Sequence, residues 1–249
     1  MVAVTVSFPC FSPSGEARPV SAPDLWAIAR NVRHRLCGGL WPRPLAADVI
    51  TGRIERLTVN GTRLTPSWDC QHEVHDDDGR PVMGVCEYDP DSPGSVMLSL
   101  NAAVVGPRPD LAASTAAHEL GHAIFDMPTA VIACRHSGDG AGHRVFRHVT
   151  PNEGHFQAKG PKDAVFWSEF RANEFMGGLL APADLLHRAL VIRAGELGLP
   201  LEAAPSGPAS RAIRCWPVAA TWPRCCCTTS ARPSASRPVS SPCGCASTA

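Results

Sequence analysis

The chain has 249 residues, of which 44% are hydrophobic and 18% are charged. This balance supports a sizeable core and excludes disorder along the whole chain. The formal net charge is +0, which argues against electrostatic binding of DNA or RNA by the protein as a whole. We therefore expect no direct nucleic-acid partner.

The N-terminal region, residues 1–49, is predicted to form a helical segment. Its first residues lack a basic stretch, and Pro9 interrupts their short apolar run, so we read no secretory signal. The sequence has no run of 18 apolar residues, so we expect a cytoplasmic protein without a membrane partner. Residues 24–37 are predicted as a helix with Asp24 as its N-cap, because apolar side chains recur on one helical face until Gly38.

The next region, residues 53–101, is predicted to form antiparallel strands. The Asn-Gly pair at 60–61 is a typical hairpin turn. The Asp-Gly pair at 78–79 predicts a second hairpin that joins the strands on either side of it. His72 and His75 lie beside three aspartates, and we interpret this group as a polar hairpin tip rather than a metal site.

Helices are predicted in the second half of the domain, at 110–126, 163–181 and 183–197. Asp110 is the expected N-cap of the first. An irregular stretch, 127–162, separates the first two helices. One of its four histidines, at 136, 143, 148 and 155, could assist catalysis or occupy the metal site, but we favour their interpretation as ordinary loop residues.

Strands followed by helices, without alternation, indicate an α+β fold. We predict one domain over residues 50–202. It consists of a small antiparallel sheet packed on an active-site helix and a second, ligand-bearing helix.

Residues 203–249 differ from the rest of the chain. They contain five arginines, no lysine and no acidic residue, whereas residues 1–202 carry 18 basic and 23 acidic side chains, a net charge of −5. They also contain six of the 11 cysteines. Three interpretations are open: a disordered basic tail, a metal-binding appendage, or the translation of a shifted reading frame. We favour the third, because this irregular Cys-, Pro-, Ser- and Arg-rich segment shows none of the local consistency of the preceding domain.

The motif that carries chemistry is His118-Glu119-Leu-Gly-His122. On a helix, residues four apart lie on one face, so both imidazoles can bind the same Zn²⁺. Glu119 lies beside them and can act on a water molecule at the metal. This is the H-E-x-x-H pattern of zinc metalloproteases.

A catalytic zinc needs a third protein ligand. The metzincin pattern is excluded, because it requires Gly and His where this chain has Phe125 and Pro128. The gluzincin alternative is a glutamate on a later helix. Glu169 fits that role, and Asn173, four residues further on the same face, can hydrogen-bond a ligand as an outer partner.

The order H-E-L-G-H, E-x-x-A-N-x-F and L-L-x-P resembles the ImmA/IrrE family of metallopeptidases over residues 50–195. The resemblance implies a zincin-like fold, zinc as cofactor, His118, His122 and Glu169 as zinc ligands, and Glu119 as catalytic base. It also implies a protein substrate, a helix-turn-helix transcriptional repressor. No such DNA-binding domain is evident in the first 50 residues, so the repressor would be a separate chain.

Three functions therefore compete. The first is a zinc endopeptidase that cleaves a repressor, the second a non-catalytic protein that binds a regulator, and the third an inactive truncated product. An intact H-E-x-x-H favours the enzyme, because a pure binding protein has no need of Glu119. The strand at 95–101 either offers an edge for an extended substrate or lies inside the sheet.

Overall fold

The structure is a computed structural model. It describes residues 1–8, 20–38, 44–89, 91–92, 94–137, 144–148 and 164–199, with backbone only for 133–137 and 144–148. The chain divides into two units, Met1–Ala203 and Ala204–Ala249. The second unit lies outside the described residues, as do the interpretations of the segment 203–249.

Six strands and seven helices make up the described part of the first unit. In chain order they are β1 (Val2–Val6), α1 (Ala22–Cys37), α2 (Ala47–Arg53), β2 (Ile54–Val59), β3 (Thr62–Asp69), β4 (Gly84–Tyr88), β5 (Ser95–Leu100), α3 (Ala102–Val105), α4 (Pro109–Phe125), α5 (Met127–Ser137), β6 (Arg144–His148), α6 (Ala164–Leu180) and α7 (Ala183–Glu196). The fold is α+β, as the sequence predicted.

The described strands form one sheet in the order β1-β2-β3-β5-β4-β6. It is mixed, because β1 pairs in parallel with β2 and β3 pairs in parallel with β5. The prediction of a purely antiparallel sheet is therefore wrong. The β2–β3 hairpin is confirmed, with Asn60 at φ 47° and Gly61 at φ 84°, as expected of a two-residue turn with two left-handed positions.

The predicted hairpin between β3 and β4 is wrong, because β5 lies between these two strands. Strand β4 pairs with β5 on one edge and β6 on the other, and four of its five residues are buried. Gly79 does adopt the left-handed conformation of a turn. This turn lies beside a single isolated bridge between His75 and Pro81 and does not join two paired strands. Since β5 is an internal strand, it offers no free edge to a substrate.

The segment 1–49 contributes a strand as well as the predicted helix. In β1, Val4 and Val6 are buried, and the strand pairs with β2. The helix α1 begins two residues earlier than predicted. Its N-cap is Ser21, whose hydroxyl accepts a bond from the Asp24 backbone N–H at 3.4 Å.

The three predicted helices in the second half exist, with bounds that differ by at most one residue at each end. The N-cap of α4 is Arg108 rather than Asp110, because Pro109 occupies the first helical turn. The stretch 127–162 is not uniformly irregular, since it contains α5 and β6. Strand β6 is specified by its pairing with β4, which local sequence does not reveal.

Among the described residues, no single helix is long and apolar enough to cross a membrane. Helices α6 and α7, which meet at an angle of 49°, reach that length and composition only when taken together.

Candidate metal centre

The helix α4 is the central element of the site. Every residue from Thr115 to Phe125 is buried, and the helix contacts α6 on one side and strands β4 and β5 on another. The small side chains of Ala116, Ala117 and Gly121 allow this close packing. The H-E-x-x-H motif therefore lies inside the protein rather than on an exposed helix.

Glycine 121 sets the distance between α4 and α6. A Cβ atom at this position would lie 2.9 Å from Ala172 Cα and 3.3 Å from Ala172 Cβ. Only glycine allows the two helices to approach this closely. Glu169 lies one turn before Ala172 on α6, so the contact brings its carboxylate opposite the two histidines of α4.

We expect Gly121→Ala to destabilise the fold by about 1–3 kcal/mol, because the added methyl group pushes against helix backbone, and to weaken metal binding by moving Glu169 away. Gly177→Ala is the matched control, since a Cβ there meets nothing within 4 Å and alanine favours the helix. Urea denaturation of both variants measures the effect. Equal stability of the two variants would contradict this account.

The structure brings together the three predicted ligand side chains. His118 Nε2 and His122 Nε2 lie 3.0 Å apart. Glu169 Oε2 lies 3.4 Å from His118 Nε2, and Glu169 Oε1 lies 3.5 Å from His122 Nε2. Both imidazoles are fully buried, and the Glu169 side chain is 15% exposed. Among the described residues this is the group of His, Cys, Asp and Glu that can hold a metal ion.

These separations fit a zinc site. Ligand atoms about 2.0–2.1 Å from a tetrahedral zinc lie about 3.3 Å from one another, close to the three distances observed. Two ring nitrogens at 3.0 Å also repel each other if both carry a proton, and a shared cation removes that repulsion. The donor set, two imidazoles and one carboxylate, is that of a catalytic zinc with an open fourth position.

Glu119 lies beside this group with a fully buried carboxylate. Among the described residues, neither of its oxygens has a hydrogen-bond partner. The pKa of Glu119 is raised to about 8, chiefly by burial, while His122 lowers it and the charge of Glu169 adds to the rise. Gly84 of β4 covers the carboxylate, since a Cβ there would lie 2.7 Å from Glu119 Oε1. A buried acid without partners is costly to the fold, which indicates a role other than stability.

The metal-free protein is expected to lose stability as the pH rises from about 4.5 to about 8. The folded Glu119 carboxyl keeps its proton up to a pKa of about 8, whereas the unfolded chain releases it near 4.5, so the folded state binds more protons between these values. The contribution of the Glu119 proton to the free energy of unfolding is fully present below about pH 4.5 and is lost as the pH rises toward about 8. Glu119→Gln, a neutral mimic, should gain stability relative to the parent as the pH rises. Denaturant midpoints across this range test it, and a constant difference between the proteins would contradict it.

Asn173, predicted to be an outer partner, is exposed on α6 and lies close enough to His118 to raise the pKa of that imidazole. Burial lowers the pKa of His118, and the bonds to Glu169 and Asn173 oppose that shift. His118 is therefore neutral near pH 7, the form that binds metal.

His122 has different partners, which the sequence did not reveal. Its Nδ1 lies 2.9 Å from Asp126 Oδ2, and Asp126 also accepts bonds from Ser168 and Arg171. Burial lowers the pKa of His122, but hydrogen bonds to Asp126 and Glu169 outweigh it and raise the pKa to about 10. The only signal in the sequence is the spacing of Asp126, four residues after His122.

The histidines at the predicted polar tip lie in a different environment. His72 Nδ1 lies 2.8 Å from Asp69 Oδ2, and its side chain is 77% exposed. His75 lies 3.9 Å from Glu73, and both are exposed. The four histidines of the stretch 127–162 lie outside the residues whose side chains are described.

Comparison of the chain with protein-family models, curated proteins and solved structures found no match.

Proposed function

We propose that the protein is a zinc-dependent endopeptidase. The observation that carries the proposal is the cluster of His118, His122 and Glu169 with the buried carboxylate of Glu119 beside it, which no described residue hydrogen-bonds. Three ligands and one adjacent acid are the parts that metal-assisted hydrolysis requires. His118 and His122 are the imidazole ligands, and Glu169 is the carboxylate ligand.

Bound zinc would supply a Lewis acid for the scissile carbonyl and a positive charge that lowers the pKa of nearby acids. Glu119 then accepts a proton from the attacking water at a carboxylate oxygen and delivers it to the leaving amine nitrogen. In the part of the chain that the structure describes, no group hydrogen-bonds either Glu119 oxygen, which supports this role because neither oxygen must first leave such a partner.

The substrate class comes from the sequence resemblance to ImmA/IrrE metallopeptidases. We propose a separate helix-turn-helix transcriptional repressor as the protein substrate, and a cytoplasmic site of action. The alternative, a non-catalytic protein that binds such a regulator, is disfavoured by Glu119. A binding protein gains nothing from a buried carboxylate without partners, which costs stability.

The experiment that tests the proposal is a search for new N-termini. The zinc-loaded protein is incubated with a proteome-derived mixture of native proteins, and cleavage products are identified by mass spectrometry. We expect a small set of new termini that is absent with Glu119→Gln. Identical termini with both proteins, or none with the parent, would favour the binding protein.

A further inference from the structure

The carboxylate of Asp126 has three polar partners inside the protein. Asp126 follows the last residue of α4, and its side chain is 5% exposed. It lies 2.9 Å from His122 Nδ1 and accepts a bond of 2.8 Å from the Ser168 hydroxyl. The buried guanidinium of Arg171 donates to its other oxygen. Both donors come from α6, so Asp126 joins the two helices that carry the metal ligands.

This contact determines which ring nitrogen of His122 faces the metal cluster. An imidazole that donates its Nδ1 proton to a carboxylate is held with Nε2 toward the cluster, and Nε2 is the nitrogen that binds a metal ion once the metal displaces its proton. His122 Nε2 lies 3.5 Å from Glu169 Oε1, on the opposite side of the ring from Asp126. The same contact also fixes the rotation of the ring, because Asp126 itself is held by two donors.

Stability alone does not account for the buried charges. A buried Asp–Arg pair loses about as much free energy by desolvation as it gains by attraction, and apolar replacements are often neutral or stabilising. The residue of α6 that raises the pKa of the other imidazole from outside the cluster is Asn173, which is neutral and exposed. The charged group is therefore placed selectively behind one ligand.

We propose that Asp126 is a positioning residue for the metal ligand His122, and that Arg171 and Ser168 hold Asp126 in place. The inference rests on the proposed zinc site, but it does not require proteolysis. Its effect is on zinc affinity, because a misoriented His122 leaves the metal with two ligands for part of the time.

The test uses the full chain and measures the zinc dissociation constant by competition with a coloured chelator. Asp126→Asn keeps the shape and one acceptor but loses the charge, and we expect zinc affinity to fall about 10–100-fold. Asp126→Ala should lower zinc affinity by at least as much as Asp126→Asn. Glu174→Gln is the matched control on α6, since Glu174 accepts a bond from Trp26 and lies apart from the cluster.

A second variant separates positioning from folding. Asp126→Asn leaves the Arg171 charge buried without its partner, so the double variant Asp126→Asn with Arg171→Met removes both charges and should restore the denaturant midpoint toward that of the parent. Zinc affinity should stay low in the double variant. Recovery of zinc affinity together with stability would overturn the proposal, because a purely structural role of Asp126 would change zinc affinity and stability together.

The remaining outcomes are also decisive. A parent that binds zinc tightly, with folded Asp126 variants within about twofold of it, overturns the positioning role and leaves the proposed function intact. A folded parent that binds no zinc overturns both.

Discussion

Glu119→Gln is expected to lower peptide hydrolysis by at least about 10²-fold while the zinc content stays at the parent level. Glutamine fills the same space but cannot accept the proton of the attacking water. Because Glu119 is not one of the three clustered ligand residues, metal binding should not suffer. Initial cleavage rates and metal content of the same preparation measure the two effects.

The control for this variant is Glu73→Gln, an exposed carboxylate outside the cluster, which should cleave at the parent rate. Full activity of Glu119→Gln would refute the assignment of Glu119 as the base. Loss of zinc from Glu119→Gln would show instead that the carboxylate is part of the metal site.

Glu169→Ala should lose both zinc and activity. The carboxylate lies 3.4 and 3.5 Å from the two ligand nitrogens, and without it only two imidazoles remain. Even outer partners of metal ligands contribute about 10–100-fold in affinity, so the loss of a ligand should exceed 100-fold. Chelator competition measures the affinity, and His118→Ala should behave in the same way.

Glu174→Gln again supplies the comparison for Glu169→Ala, because Glu174 lies on the same helix and Trp26 Nε1 bonds to it at 2.7 Å. It should keep its zinc. If Glu169→Ala binds zinc as tightly as Glu174→Gln, the third ligand must be another group.

The shared position of the two histidines was predictable because it follows from helix geometry. His118 and His122 are four residues apart, and this periodicity identifies a shared face without knowledge of the rest of the fold. Glu169 was identified by its motif and by the need for a third ligand. The structure adds the reason why it is within reach, which is the close contact between Gly121 and Ala172.

The sheet order and the surroundings of His122 were not predictable in the same way. The pairing of β3 with β5, rather than with the next strand, depends on burial across the whole sheet. A single aspartate at a helix end, Asp126, has no distinguishing pattern until Ser168 and Arg171 are brought beside it from α6. Contacts between segments that are distant in the sequence determine both the strand order and the partners of Asp126, and local periodicity does not predict such contacts.

The central claim is that His118, His122 and Glu169 hold one zinc ion. The most direct measurement is the metal content of the purified full chain, by mass spectrometry, for the parent, Glu119→Gln and Glu169→Ala. The account predicts about one zinc per chain in the first two proteins and little in the third. A folded parent without zinc, or equal zinc in all three, would contradict it.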